Sequence, residues 1–395
     1  MKYFFAVVLF TIFLALTTTL GYWVGQQHPD QNLLSLLSSS PSQLISPLTI
    51  TPEPTPKPLP LNQYSIPNLK KYPFESSQII VTQVVEEQET FNTYLFSYQT
   101  MGKTMTGSAN IPQECKEKPS CPVVVLVRGY ATPEQYSPGF GTRNAAAVFA
   151  NNGYITLAPD FFGFANSDPE PEDSWEARFI KPINVIELIE SLKDNSSLQI
   201  SPSVASSIES PSAEDLSDTI SFTDFVTADP SQINIWAHSN GGQITLSLLQ
   251  VLEEPIPATL WAPVTAPFPY SILFFTRTSA DEGKEARAWL AMFEKDYDVF
   301  DFTVTQHLDK LTGPIQIHHG ARDPDALIVW SDSFIKKIEL ENKAREDEAE
   351  SEERSHQLPI EYNYFVYPQA DHNLQPSENW NQAIARDLEF FAKYN

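Results

Sequence analysis

The segment Ala237-His238-Ser239-Asn240-Gly241 has the residue types and spacing of a nucleophilic serine site. It follows an apolar run typical of a buried strand and precedes an apolar pattern with helical spacing. A serine at a sharp turn from strand to helix needs small residues two positions before and after it, because the backbone is crowded there. Ala237 and Gly241 meet this requirement, and we therefore predict a nucleophile elbow with Ser239 as the nucleophile.

Two later residues supply the acid and the base that a serine nucleophile requires. Asp323 and His372 each follow an apolar run, so we expect both in loops at the carboxyl ends of strands, where side chains converge at one edge of a parallel sheet. His372 would take the proton of Ser239 and return it to the leaving group, while Asp323 would fix the imidazole. Asp325 and Asp371 are the competing acids, of which Asp371 is interpreted as a loop-forming residue.

Two backbone N–H groups are candidates for an oxyanion hole. One belongs to Asn240, directly after the nucleophile, and the other to Tyr130, in the loop that follows a continuous apolar run. Gly129 permits the turn in that loop. Arg128 and Arg143 are candidates for binding a substrate carboxylate, and the sequence does not decide between them.

The pattern of apolar runs predicts the elements that position these residues. Strand-like runs open the globular part from Ile79 onward, and strands then alternate with helices to the C-terminus. This order predicts an α/β fold with a mostly parallel, eight-stranded sheet and helices on both faces. Two segments interrupt it: 195–229, which is rich in Ser and Asp and is interpreted as a flexible insertion, and the aromatic-rich 262–311, interpreted as a helical cap.

The N-terminal fifth of the chain, residues 1–76, differs from the rest in composition. Residues 1–27 include a long uncharged apolar segment, which predicts a membrane anchor or a cleaved signal peptide. Residues 28–76 hold ten of the 32 prolines with many Ser and Thr, and indicate a semi-rigid stalk. The catalytic domain is predicted at 77–395. Either reading of the apolar segment places that domain outside the cytoplasm, membrane-anchored or secreted.

Charge and cysteine content exclude some classes of function. The formal net charge of −25 over 395 residues argues against a nucleic-acid partner, since phosphate binding needs clustered Lys and Arg. The two cysteines, Cys115 and Cys121, bracket a short polar loop and are predicted to form a local disulfide in an exported protein, with free thiols as the alternative. No spacing of Cys and His indicates a metal site.

The landmarks from about Lys103 onward resemble the α/β-hydrolase superfamily, in which Ser, Asp and His follow one another in this chain order. More narrowly, they resemble the catalytic domain of prolyl-oligopeptidase-type serine peptidases and their dienelactone-hydrolase-like relatives. The resemblance implies cleavage of oligopeptides or small molecules through an acyl-enzyme, without a cofactor. Three departures matter: Arg128 stands where the superfamily commonly has His, Ser239 replaces the Cys of dienelactone hydrolases, and the chain has no room for a β-propeller.

Three functions remain open on the sequence. The resemblance favours a peptidase, with a carboxylesterase of the same fold as the alternative. A catalytically inactive surface-binding module is the third, because a fold alone does not establish a function. The oligomeric state is not indicated.

Overall fold

The computed structural model describes residues 58–200, 224–351 and 357–395. The predicted anchor or signal peptide, 1–27, and the part of the predicted stalk up to residue 57 lie outside the described residues. Within the described ranges, no helix is long and apolar enough to cross a membrane.

The folded body begins earlier than the sequence indicates. A 3-10 helix at Pro60–Tyr64 and the short helix α1 at Ile66–Leu69 place Leu61, Tyr64 and Leu69 in the hydrophobic core. The predicted boundary at residue 77 is therefore wrong, because these apolar side chains pack on the core rather than form part of a solvated stalk.

One ten-stranded sheet organises the described residues. Its strands are β1 (Ile80–Glu87), β2 (Phe91–Thr100), β3 (Lys103–Pro112), β4 (Cys121–Val127), β5 (Ile155–Pro159), β6 (Ser197–Ile200), β7 (Asp224–His238), β8 (Ala258–Trp261), β9 (Ile315–Gly320) and β10 (Tyr362–Tyr367). Their order is β10-β9-β8-β7-β4-β5-β3-β2-β1-β6. The strands from β5 to β10 along this order run parallel, and β1, β2, β3 and β5 pair antiparallel.

The sheet differs from the predicted eight-stranded one in a specific way. β6 pairs parallel with β1 and antiparallel with the first residues of β7, so the pairings close a mixed ring of seven strands: β7, β4, β5, β3, β2, β1 and β6. Both partners of the β6–β7 pair come from the predicted flexible insertion 195–229. Its ends are therefore paired strands, and only residues 201–223 lie outside the described part of the chain.

Helices cover both faces of the sheet. The longer ones are α2 (Arg143–Asn151), α4 (Lys181–Asp194), α5 (Asn240–Leu252), α7 (Lys284–Glu294), α8 (Ile328–Ser351) and α9 (Ser377–Tyr394), and the shorter ones are α3 (Ser174–Phe179) and α6 (Ser271–Thr276). β4 shows why both faces are covered: Val123 to Val127 alternate between two core clusters, and all five are fully buried. One cluster contains α4 and α5, the other α2 and α9.

A disulfide joins Cys115 to Cys121 at the start of β4, with the two Cα atoms 5.8 Å apart. Cys115 lies in the 3-10 helix Gln113–Lys116, which follows β3. The bond therefore ties the end of β3 to the first residue of the buried strand β4. Because the loop that it closes is short, the entropic stabilisation that it gives is modest.

The buried carboxylate of Asp387 fastens α9 to the sheet. Its oxygens accept hydrogen bonds from Trp261 Nε1 (2.7 Å), Gln316 Nε2 (3.0 Å) and His318 Nε2 (3.0 Å), and all four residues are at most 2% exposed. The Nδ1 atom of His318 lies 2.8 Å from the hydroxyl of Tyr367. His318 is thus a buried structural residue on β9.

We expect Asp387→Ala to lower the free energy of unfolding by about 3 kcal/mol, because three buried donors lose their acceptor. Glu389→Ala, on the exposed side of the same helix, should change it by less than about 0.5 kcal/mol. Denaturant unfolding of both variants measures the difference. Equal effects would show that the carboxylate does not anchor the helix.

Candidate active site

Ser239 lies at the turn between β7 and α5 with a left-handed backbone, φ 57° and ψ −122°. A non-glycine residue in this region is strained by about 1–3 kcal/mol and needs support from its surroundings. The support comes from three backbone hydrogen bonds: Ser239 N–H donates to Trp261 O (2.9 Å), and Ser239 O accepts from Gly242 N (3.0 Å) and Val264 N (3.0 Å). The serine is partly exposed at the carboxyl end of the sheet.

Two glycines bring this turn into backbone contact with the loop after β4. A Cβ atom on Gly241 would lie 2.0 Å from Val127 O and 2.7 Å from Arg128 O. A Cβ atom on Gly129 would lie 2.9 Å from Ser239 Cβ and 3.4 Å from Ser239 Oγ. No side chain fits at either place, so Gly129 and Gly241 are required by the contact itself.

The two predicted oxyanion donors lie on either side of this contact. Asn240 is the first residue of α5, where backbone N–H groups have no partner within the helix. Tyr130 directly follows Gly129, and its side chain is 81% exposed. Neither N–H donates a hydrogen bond to another described residue. Their partial positive charges are therefore available to an oxyanion on the substrate, and the role remains a prediction.

The sequence analysis named Arg128 as a candidate for substrate binding, but this residue is enclosed by the protein. Its side chain is 4% exposed, and its guanidinium lies 4.1 Å from the centre of the Phe164 ring and 4.6 Å from that of Tyr136. Nη1 donates to Gly129 O (2.9 Å) and Nη2 to Asp160 O (2.8 Å). The prediction for Arg128 is wrong, because an arginine enclosed by aromatic rings and committed to two carbonyl groups is closed to a substrate.

The contact between Arg128 and Gly129 orients the N–H of Tyr130, a predicted oxyanion donor. The carbonyl of Gly129 and the N–H of Tyr130 belong to one planar trans peptide, so they point in opposite directions. A hydrogen bond that holds the carbonyl toward Arg128 therefore turns the N–H of Tyr130 away from it. Arg128 is a positioning residue for the loop.

Asp323 and His372 meet at the predicted place. His372 Nδ1 lies 2.8 Å from Asp323 Oδ2, while Asp323 Oδ1 accepts the backbone N–H groups of Asp325 and Ala326 at 2.8 Å each. Burial alone would raise the pKa of Asp323, but hydrogen bonds from His319 and His372 outweigh it and hold that pKa well below its usual range. The ionised carboxylate thus fixes His372 with its proton on Nδ1, which leaves Nε2 as the basic atom.

Ser239 Oγ makes no hydrogen bond to His372 or to any other described residue. Such a bond is often long or absent in a hydrolase without substrate. The serine is nevertheless joined to the His372 loop through its neighbour, because His238 Nε2 lies 2.9 Å from His372 O. The contact of the serine with the histidine therefore remains a prediction, while the pair of Asp323 and His372 is in place.

His238 takes part in the site through its ring rather than as a packing residue alone. Its ring centre lies 4.7 Å from that of His372. Burial, followed by the neighbouring His372, lowers the pKa of His238 to about 4. The ring is therefore neutral at ordinary pH, and its Nε2–H donates to the His372 carbonyl.

His319 is a site residue that the sequence reasoning missed. Its Nε2 lies 2.8 Å from Ala326 O and 3.3 Å from Asp323 Oδ2, and its Nδ1 lies 2.8 Å from Ser331 Oγ. Since both neighbours of Nε2 are acceptors, Nε2 carries the proton and donates to them. The sequence held a signal for this role, because His319 lies at the end of a buried strand, four residues before Asp323.

The other acids near His372 have different roles. Asp371 Oδ1 accepts the N–H groups of Asn373 and Gln375 at 2.9 Å each, so it shapes its own loop. Asp323, Asp325 and His372 have potential metal-ligand atoms within 4.8 Å of one another. Both oxygens of Asp323 are already engaged in hydrogen bonds, and the group is arranged to hold His372 rather than an ion.

Arg143 remains a prediction for substrate binding. It lies at the start of α2, where its guanidinium donates to Ser137 Oγ (2.5 Å) and Pro138 O (2.9 Å). It also lines a recess of about 330 Å³ together with Trp236, His238 and Asn373. This recess lies beside the elbow, and neither Ser239 nor His372 lines it.

Comparison with known proteins bears on the fold. No family model matches the chain, and no curated protein matches its sequence. Among solved structures, acetyl xylan esterase 1 from Thermoanaerobacterium sp. JW/SL YS485 is similar with a TM-score of 0.53 and 10% identity, over 86% of this chain and 95% of that one. An acetyl xylan esterase from Paenibacillus sp. R4 has a TM-score of 0.54 and 15% identity, over 82% and 91%.

A peptidase is similar to the same degree. The puromycin-hydrolyzing peptidase of Mycobacterium tuberculosis has a TM-score of 0.52 and 13% identity, over 78% of this chain but 40% of that one. At such identities the likeness shows the fold and no more. The chain accordingly has the α/β-hydrolase fold, as its sequence landmarks predicted.

Proposed function

We propose that this protein is a serine hydrolase that cleaves an ester through an acyl-enzyme. The observation that carries the proposal is the hydrogen bond between Asp323 and His372 beside a strained serine at the end of β7. A carboxylate, an imidazole and an exposed hydroxyl in this arrangement are the parts of nucleophilic acyl transfer.

Each step uses a group that the chain supplies. Ser239 Oγ attacks the substrate carbonyl while His372 Nε2 takes its proton, and the resulting oxyanion accepts the N–H groups of Tyr130 and Asn240. The protonated His372 gives the proton to the leaving oxygen as the tetrahedral intermediate collapses to the acyl-enzyme. A water molecule, deprotonated by His372, then releases the acid and restores Ser239. The reaction moves protons and an acyl group and needs no cofactor.

Segment 262–311 is suited to cover this site as a cap. It begins beside the nucleophile, where Val264 N donates to Ser239 O. Further along, the Trp289 ring of α7 stacks on Trp175 of α3 with ring centres 3.6 Å apart and planes 13° from parallel. Aromatic packing of this kind fixes the segment against the body.

The extent of the structural matches supports an ester rather than a peptide as the substrate. The similar acetyl xylan esterases are matched over almost their whole chains, whereas the puromycin-hydrolyzing peptidase is matched over 40% of its own. A peptidase is the second candidate, supported by the likeness to that enzyme and by the sequence landmarks.

Export to the extracytoplasmic side, with the segment 1–27 as membrane anchor or signal peptide, is part of the proposal. The disulfide between Cys115 and Cys121 supports it, because disulfides persist in oxidising compartments.

Ser239→Ala and His372→Ala should each lower kcat/KM for 4-nitrophenyl acetate by about 10⁴-fold or more, because nucleophile or base is lost. Asp323→Asn should lower it by about 10³- to 10⁴-fold, since an amide cannot hold the same imidazole tautomer. Asp325→Asn is the matched control and should stay within about threefold of the wild type. A Ser239→Ala protein that keeps its activity would contradict the proposal.

The second candidate, a peptidase, is tested by comparing matched ester and amide substrates of the full-length protein. We expect kcat/KM for 4-nitrophenyl acetate to exceed that for 4-nitroacetanilide and for glycyl-prolyl 4-nitroanilide by at least about 10³-fold, because an esterase does little to activate an amide leaving group. A prolyl anilide hydrolysed faster than the ester would replace the esterase with the peptidase.

A further inference from the structure

Two cations beside the proposed site have no hydrogen-bond or ion-pair partner among the described residues. Arg178 lies in the last turn of α3, and Lys181 is the first residue of α4. Neither side chain makes a hydrogen bond or an ion pair with another described residue. In a chain with 50 acidic and 25 basic residues, cations without a carboxylate partner are unexpected.

These two residues, the cationic pair, lie between the loop after β4 and the cap. Lys181 Nζ is 5.8 Å from the centre of the Phe161 ring, and the guanidinium of Arg128 is 5.3 Å from the same ring. Arg178 lies over the ring of Trp289 in α7, 5.6 Å from its centre. The pair is thus bordered by the loop that carries Gly129 on one side and by the cap on the other.

We call the surroundings of the pair the recess, because neighbouring protein shields both cations in part. Arg178 is exposed and Lys181 is half-buried, yet enough protein surrounds them for burial to act on both. Burial, followed by the charges of Arg128 and Arg178, lowers the pKa of Lys181 to about 8. Burial also lowers the pKa of Arg178, against the opposing effects of Tyr130 and Glu170. An anion bound here would relieve the repulsion between the cations.

The charge balance of the recess indicates which anion fits. Glu170 is the carboxylate that acts on both members of the pair, and it makes no ion pair within 4.0 Å with either. One carboxylate against these two cations leaves a net positive charge, to which the nearby Arg128 adds. An anion is therefore favoured, and the planar guanidinium of Arg178 suits the two oxygens of a carboxylate.

The recess is connected to the nucleophile through two consecutive residues. Gly129 packs directly against Ser239, and Tyr130, which follows it, is close enough to Arg178 to act on it electrostatically. Tyr130 thus links the surroundings of Ser239 to those of Arg178.

We propose that Arg178 and Lys181 bind a carboxylate of the substrate, so that the enzyme prefers esters that carry a free carboxylate close to the bond it cleaves. This rests on the proposed hydrolase activity and names its substrate class. It moves the predicted recognition of a carboxylate from Arg128, which is enclosed, to two cations that make no ion pair with another described residue. The pair also offers local attraction in a protein whose overall charge of −25 repels anions.

The test compares esters that differ in a single charged group. On the acyl side, 4-nitrophenyl hydrogen glutarate is compared with 4-nitrophenyl valerate, and on the leaving side, 3-carboxyphenyl butyrate with 3-carbamoylphenyl butyrate, each corrected for hydrolysis without protein. For the full-length wild type, the ratio of kcat/KM for the charged ester to that for the neutral ester is measured in both pairs. In one of the pairs, Arg178→Gln and Lys181→Met should each lower this ratio by at least about tenfold, as expected for loss of a charge-assisted hydrogen bond.

Two further variants separate binding from a structural role. Lys181→Arg keeps the charge and should keep the ratio within about threefold of the wild type, while Lys336→Met removes an exposed lysine of α8 and should leave it unchanged. The carboxylate site would be overturned, with the hydrolase left intact, by one result. In that result the ratio stays within about twofold of the wild type in both pairs of esters, for both single variants and for the double variant. A wild type that hydrolyses none of the four esters would overturn the proposed function itself.

Discussion

The candidate site depends on one constraint. The backbone of the elbow that carries Ser239 touches the backbone of the loop after β4. β4 and β7 are neighbouring parallel strands, so their carboxyl ends arrive at the same edge of the sheet. Gly241 comes so close to Val127 O that a Cβ atom would lie 2.0 Å from it, and Gly129 packs against Ser239 in the same way. Because the two segments touch without side chains between them, the serine hydroxyl and the N–H of Tyr130 lie on the same small surface.

Around this contact, side chains that take no part in the chemistry hold the groups that do. Arg128 fixes the carbonyl of Gly129, His238 fixes the carbonyl of His372, and His319 donates to Asp323. These contacts, of 2.9 to 3.3 Å, are at least partly shielded from water, where a hydrogen bond to a carbonyl or a carboxylate restricts orientation strongly. The geometry of the candidate site therefore depends on residues at the carboxyl ends of three different strands, which the sheet holds in register.

The sequence was sufficient to predict those parts that follow from local patterns. Ala237 and Gly241 around the serine, and the apolar runs before Asp323 and His372, placed the reactive residues at strand ends, because crowding and burial restrict which residues occur there. The sequence was not sufficient where contacts between distant segments determine the structure. The enclosure of Arg128 depends on Tyr136, Phe161 and Phe164, whose convergence no spacing reveals. Likewise β6 is four residues long, and its pairing with β1 depends on register rather than on its own composition.

The central claim is that Ser239 is a nucleophile activated by His372, and covalent labelling tests it most directly. A fluorophosphonate reacts with an activated serine hydroxyl, and mass spectrometry of the digested full-length protein identifies the residue that carries the adduct. We expect one adduct, on Ser239, formed at a rate that His372→Ala lowers by about 10³-fold or more. An unlabelled protein, or an adduct that forms at the same rate without His372, would contradict the account.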